Sequence, residues 1–151
     1  MRGWKSLAVF FLLVAAAAGA GAMAAPDTWY AALTKPAFNP PAWLFGPVWT
    51  LLYVFMAIAA WRVYRRQGVD LSIGAWLVQL VVNAAWSPLF FGAHRIDLAL
   101  IDILVLDLVV IVTIALFFRR DRISGWLMLP YLAWIGFATV LNASLWTLNP
   151  G

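Results

Sequence analysis

Five long apolar runs, parted by short polar segments, organise this chain. They cover residues 6–25, 45–64, 72–91, 98–118 and 123–148. A helix that crosses a bilayer needs ~20 mostly apolar residues, and each run is about that long. Strand-like alternation is absent, and the runs are too long for barrel strands. The pattern therefore predicts an all-α membrane protein, a bundle of five transmembrane helices in one domain over 1–151. Residues 26–44 are left as a loop between the first two spans. The first run invites a second reading, because Arg2 and Lys5 precede an alanine-rich stretch ending in Ala22-Met23-Ala24, as in a cleaved leader. Its length exceeds the ~7–15 apolar residues of a usual leader core, which favours retention as a span.

Composition agrees with this reading. Of 151 residues, 66% are hydrophobic and 11% charged, more apolar surface than a soluble domain of this size buries. A formal net charge of +4 would suit nucleic acid, but the basic residues sit in clusters between apolar runs, as topology determinants do. Arg2, Lys5, Arg62, Arg65, Arg66, Arg119, Arg120 and Arg122 fall on one side, and only Lys35 and Arg95 on the other. Lys and Arg concentrate on the cytoplasmic side, so the N-terminus is expected in the cytoplasm and the C-terminus outside. No nucleic-acid partner is expected. The chain has no cysteine, which removes disulfides, thiolate chemistry and iron–sulfur clusters.

The 26–44 segment is rich in proline and aromatic residues: Trp29, Tyr30, Lys35, Pro36, Phe38, Asn39, Pro40, Pro41 and Trp43. Such a segment is stiff rather than flexible. It reads equally as an interfacial segment or as a lid over a cavity between helices. Among ten tryptophans, Trp4, Trp61, Trp76 and Trp126 near the inner helix ends and Trp29, Trp43 and Trp146 near the outer ends suit an aromatic belt. Trp49, Trp86 and Trp134 lie deeper. At ~1.5 Å per residue the first two sit about 6–8 Å below the outer ends, and Trp134 near mid-membrane. Helical spacing joins Trp49 to Tyr53, Asn83 to Trp86 and Phe90, and Trp134 to Ala138, Leu141 and Asn142. Asn83 and Asn142 are costly in hydrocarbon unless they bond across helices or line a wet pocket. Interhelical packing and a pocket for a flat apolar ligand both satisfy that spacing.

The residues Trp29-Tyr30-x-x-Leu33-x-Lys35-Pro36-x-Phe38-Asn39-Pro40-Pro41 and Gly46-Pro47-Val48-Trp49-x-x-Leu52-Tyr53 closely resemble the TspO/MBR family. So do Gln79-Leu80-x-x-Asn83-x-x-Trp86-x-Pro88-x-Phe90-Phe91-Gly92 and Pro130-Tyr131-Leu132-Ala133-Trp134-x-x-Phe137-Ala138-Thr139-x-Leu141-Asn142. The family comprises the tryptophan-rich sensory proteins of bacteria and the mitochondrial translocator protein, the peripheral-type benzodiazepine receptor. The match runs in order from Trp29 to Asn142. The resemblance implies a receptor or sensor-type protein, usually a homodimer, with a cavity closed by the loop between its first two helices. It implies porphyrins (protoporphyrin IX, haem) and other flat aromatic small molecules as ligands, with no required cofactor. Positions matching the family's pocket are Phe45, Val48, Trp49, Tyr53, Asn83, Trp86, Leu98, Asp102, Trp134, Ala138, Leu141 and Asn142; the Asn83 stripe adds Phe90. Tetrapyrrole transport or stress regulation is the implied output. The alternative is light-dependent oxidative degradation of protoporphyrin IX, for which no acid/base pair, nucleophile or metal site prescribes a dark reaction.

Two departures narrow this. The tyrosine and basic residue of the animal cholesterol motif are missing after Asn142, which argues against cholesterol. Phe38 stands where many members have tryptophan. Asp102 and Asp107 lie inside the fourth run, about 140° apart on a helix. Asp102 matches an aspartate of some members, with pocket and structural roles equally open; a structural role is favoured for Asp107. The only histidine, His94, lies in an outer connection. No helix supplies a histidine axial ligand, so porphyrin capture by stacking is expected, with metal-free porphyrin binding at least as well as haem. Gly74, Ala75, Ala84 and Ala85 offer small contact residues for a dimer.

Overall fold

The computed structural model describes residues 3–23 and 26–149. Its elements are α1 (Trp4–Ala22), α2 (Thr28–Ala32), α3 (Ala42–Gln67), α4 (Leu71–Ser87) continued by a π-helical turn (Pro88–Gly92), α5 (Ile96–Arg120) and α6 (Arg122–Leu148). Among the described residues there is no strand, and five helices are long and apolar enough to cross a membrane. The five expected spans are all present. Arg2, Ala24 and Ala25, part of the expected topology and first span, lie outside the described residues.

Local chemistry sets the boundaries. Gly68, at φ 70°, ends α3 in the left-handed region where a side chain is strained, and its N–H closes on the Tyr64 carbonyl at 2.8 Å. Asp70 then starts α4 by accepting from the Ser72 and Ile73 N–H groups. Asp121 does both jobs at once. Its N–H closes α5 on Phe117 O at 2.7 Å, while its carboxylate accepts from Ser124 N and opens α6. The expected 26–44 loop is a correction: it holds a helix of its own. Asp27 caps α2 through Tyr30 N, and α3 begins three residues early, at Ala42, after the extended Pro41.

The long helices form a ring in the order α1, α3, α6, α5, α4, with each touching its two neighbours and α3 reaching across to α4 and α5. Small residues on α3 (Ala57, Ala59, Ala60) are fully buried and let neighbouring backbones approach. Around them pack Met56, Val63, Val110, Phe117 and Met128. Trp76 departs from expectation. Rather than joining a belt it is wholly buried, in edge contact with Phe10 at 5.5 Å, which fixes α1 against α4. By contrast Trp4, Trp43, Trp126 and Trp146 turn their rings outward near helix ends.

The basic clusters are also structural. Asp121 takes Arg62 at 2.7 Å and Arg66 at 3.5 Å, and Arg120 reaches Asp70 at 3.0 Å. Burial raises the Asp121 carboxyl, but Arg62 and Ser124 outweigh it, and the group stays below the ordinary carboxylate range. The same balance, with Ser72 and Arg120 as the lowering partners, holds Asp70 down.

Candidate ligand-binding site

Two aromatic groups occupy the half of the bundle near α2. In the first, Trp49 of α3 lies 5.4 Å from Tyr53 on its own helix, and 6.2 and 6.5 Å from Tyr131 and Trp134 of α6. Phe45 meets Trp134 edge-on at 5.7 Å. Phe137 continues the row from Trp134 to Phe38 in the 33–41 segment, at 5.8 and 6.1 Å. In the second group Trp86 stacks on Phe90 at 4.9 Å, Phe90 meets Trp29 and Tyr30, and Leu141 packs alongside. Trp86 belongs to both and joins them.

Beneath the rings runs a chain of hydrogen bonds across three helices. The Tyr53 hydroxyl donates to Asn83 Oδ1 at 3.0 Å, and Asn83 Nδ2 donates to the Tyr131 oxygen at 2.7 Å. Tyr131 in turn donates to Gln79 Oε1 at 2.8 Å, and Gln79 Nε2 points at Met56 Sδ, 3.8 Å away. A second link lies closer to the α2 end. The Trp86 indole N–H donates to Asn142 Oδ1 at 2.9 Å, and Asn142 Nδ2 donates to the Ile96 carbonyl at 3.1 Å. Each amide therefore spends both its oxygen and its nitrogen on protein partners, as buried polar groups must. They fix Tyr53, Tyr131 and Trp86 in place, so they shape the walls of the site rather than project into it. Gln79 and Tyr131 were quoted within motifs above but not singled out. The i, i+4 spacing of Gln79 and Asn83 was the signal available for them.

The remaining expected residues divide. Val48 and Ala138 pack beside the Trp49–Trp134 group. Leu98 does not join it; its side chain lies on the outward face of α5. Asp102 is half-buried, with Oδ2 unpartnered, and Asp107 accepts from the Thr139 hydroxyl of α6 at 2.7 Å. The other Asp107 oxygen, Oδ1, is buried without a partner, and the same Thr139 hydroxyl lies 2.7 Å from the Ile135 carbonyl.

The residues of the 26–44 segment likewise separate by task. Asp27 Oδ2 lies 3.3 Å from His94 Nε2, and Trp29 stacks on the His94 ring at 4.3 Å. At the other end of α2, Thr34 N donates to Asn149 Oδ1 and Asn149 Nδ2 donates to Thr34 O, both at 2.8 Å. Lys35 turns back onto the Tyr30 carbonyl at 2.9 Å and over the Tyr30 ring, so it caps α2. Pro36, Asn39 and Pro40 are half-buried along the strap to α3; Pro41 and Trp43 face outward. The Tyr30 N–H, with smaller help from His94, holds the Asp27 carboxyl below its ordinary range.

A groove of about 400 Å³ opens on the outside of the first aromatic group, between α3 and α6. Val48, Leu51, Leu52, Pro130, Ala133, Trp134 and Phe137 line it. Pro130 has no N–H to bond the preceding turn, which loosens α6 where the groove forms. Trp134 thus lines the groove and also meets Phe45 and Trp49 edge-on.

Five apolar spans around a tryptophan-rich, hydrogen-bonded interior define a multi-pass membrane protein. The chain belongs to the TspO/MBR family, whose pattern it matches over residues 7–147. It is 40% identical over 148 residues to Protein CrtK of Rhodobacter capsulatus, covering 95% of this chain and 92% of that one. It is 40% identical over 146 residues to the tryptophan-rich sensory protein of Cereibacter sphaeroides, covering 97% and 92%. To the human translocator protein it is 37% identical over 128 residues, covering 82% and 76%.

Proposed function

We propose that this protein is a membrane receptor for flat, largely apolar aromatic ligands, porphyrins among them, which lie against the Trp134 ring. The carrying observation is the groove between α3 and α6, whose indole wall is backed by Phe45 and Trp49. A face-on ring gains stacking and apolar burial there, and a neighbouring bilayer supplies apolar ligands directly. Behind this wall Trp49 packs on Tyr53 and Tyr131, which the Asn83 network holds, so part of the ordering cost is met before binding. Lys35, committed to α2, is not the partner of a ligand carboxylate in this reading.

The test is a fluorescence titration of the purified protein with protoporphyrin IX. Trp134→Ala should weaken binding about tenfold or more, the loss of one well-stacked aromatic contact. Trp4→Ala, exposed on α1, which contributes nothing to the groove, should leave affinity unchanged. Equal affinity for wild type and Trp134→Ala would overturn the site.

We further propose that the N-terminus is cytoplasmic and the α2 end faces outside a bacterial cytoplasmic membrane. The supporting feature is the clustering of Arg62, Arg65, Arg66, Arg119, Arg120 and Arg122 at the opposite end. With no native cysteine, Ala93→Cys should react with an impermeant maleimide on intact cells and Gln67→Cys should not. The reverse labelling would invert the assignment.

A further inference from the structure

At the α2 end a second hollow, about 490 Å³, opens between α2, the connection from the π turn to α5, and the end of α6. It takes no part in the aromatic site proposed above. Its floor is apolar, from Leu33 and Ile96, and two indoles, Trp29 and Trp146, stand in its wall. On the rim lies a fixed pair of opposite charges. Arg95 closes on Asp97 through Nε–Oδ1 at 2.9 Å and Nη2–Oδ2 at 2.8 Å. Both side chains are about half exposed, at 53% and 44%.

The Arg95–Asp97 pair is a dipole rather than a net charge; His94 and Asn149, already engaged by Asp27 and Thr34, complete the lining. The guanidinium has five donors, of which this pairing uses two, and the carboxylate keeps lone pairs on both oxygens. A ligand offering an anion to Arg95 and a cation to Asp97 and the indoles would meet complementary groups a few ångströms apart. A purely anionic ligand would have to contend with Asp97. Trp146 is exposed at a helix end, the level at which indoles meet headgroups. Directly after Asp97, α5 turns Leu98, Ile101 and Val105 outward on one face, at i, i+3 and i+7. Those three make an apolar track running from the rim into the membrane. Head complementarity above and a hydrocarbon track below describe one class of molecule.

We propose that this hollow binds the headgroup of a zwitterionic phospholipid, its phosphate toward Arg95 and its ammonium toward Asp97, with an acyl chain along Leu98, Ile101 and Val105. Trp29 lies on α2 and Leu33 caps it, so the lipid bridges the α2 segment and the bundle. The site stands apart from the proposed aromatic-ligand function, and its test uses no aromatic ligand.

The experiment is native mass spectrometry of the full chain in non-ionic detergent, titrated with dioctanoyl phosphatidylethanolamine. Parallel titrations use dioctanoyl phosphatidylglycerol, which lacks the cation, and dioctanoylglycerol, which lacks the headgroup. One phosphatidylethanolamine molecule should be retained in preference to the others. The double variant R95Q/D97N, uncharged but of similar shape, should bind it about tenfold more weakly, and Trp146→Ala should also weaken it. Arg119→Gln, at the other end of the bundle, should not. Unchanged binding by R95Q/D97N and Trp146→Ala, or equal retention of either control lipid by wild type, would overturn the site.

Discussion

Replacing Tyr131 by phenylalanine removes one oxygen from the interior and little else. The ring still lies 6.2 Å from Trp49, so the apolar packing survives. What is lost is the hydroxyl between Asn83 Nδ2 and Gln79 Oε1, at 2.7 and 2.8 Å, in a side chain with no solvent exposure. Two buried partners are then stranded. In a soluble core each would cost about 1–3 kcal/mol. In a membrane bundle the unfolded reference state finds partners of its own, and single interhelical bonds average about 0.6 kcal/mol with a ceiling near about 1.7. Two such bonds give about 1–3 kcal/mol of destabilisation for Tyr131→Phe. Equilibrium unfolding in mixed micelles titrated with a denaturing detergent would measure it. Gln79→Leu and the double variant complete a cycle that isolates the Tyr131–Gln79 bond, with an expected coupling of about 0.6–1.7 kcal/mol. A single-variant loss below about 0.3 kcal/mol, within the usual scatter of additivity, would refute the view that this chain cross-braces α3, α4 and α6.

Other outcomes follow from single contacts. A Cβ on Gly125 would stand 2.5 Å from Cγ of Phe118, near the root of that ring, so Gly125→Ala should cost about 1–3 kcal/mol in a thermal melt. Shortening the obstacle, as F118L/G125A, should recover part of it. Asp121 and Asp70 titrate below the ordinary carboxylate range in the folded chain. The stability they contribute is therefore present above about pH 4 and lost as pH falls through their lowered values. Melting temperature should drop on acidification through that window, and D70N/D121N should flatten the drop while lowering the plateau. Asn149→Ala breaks the paired bonds to Thr34 and should accelerate hydrogen exchange of the Thr34 amide about tenfold or more; an unchanged rate would show that this end of α2 is held elsewhere. Because α3–α6 carry no histidine, metal-free protoporphyrin should bind at least as tightly as haem, and a strict need for iron in parallel titrations would defeat stacking as the mode of capture.

The five spans were legible because lipid imposes a length and an apolarity that run plainly along the chain. The apolar runs placed the helix ends only approximately, since the capping chemistry of Asp70, Asp121 and Gly68 that sets several of them is not an apolar signal. What could not be read was the rotation of each helix about its axis. In a soluble protein the wet face and the core face differ in polarity; here lipid and core are both apolar, and Trp76 looked as suited to the belt as to the interior it fills. Asn83 and Asn142 did turn into the interior of α4 and α6, because they need partners and only the interior supplies them, whereas Trp134 on the same stripe as Asn142 also lines the outward groove. Leu98 has no such need, and its position on the outer face of α5 had no local signal. The helix inside the 26–44 segment was missed for another reason. It is one short turn and a half, stabilised by Asp27 before it and by Lys35 and Asn149 after it, so most of its support comes from outside its own sequence.

The two attachments of α2 have a geometric consequence. The helix spans only five residues, roughly 7.5 Å, with His94 anchoring one end and Asn149 the other. Each anchor reaches a different neighbour: His94 ties the Trp29 end to the connection before α5, and Asn149 ties the Thr34 end to the tip of α6. A single short helix thereby staples the lead-in of α5 to the end of α6.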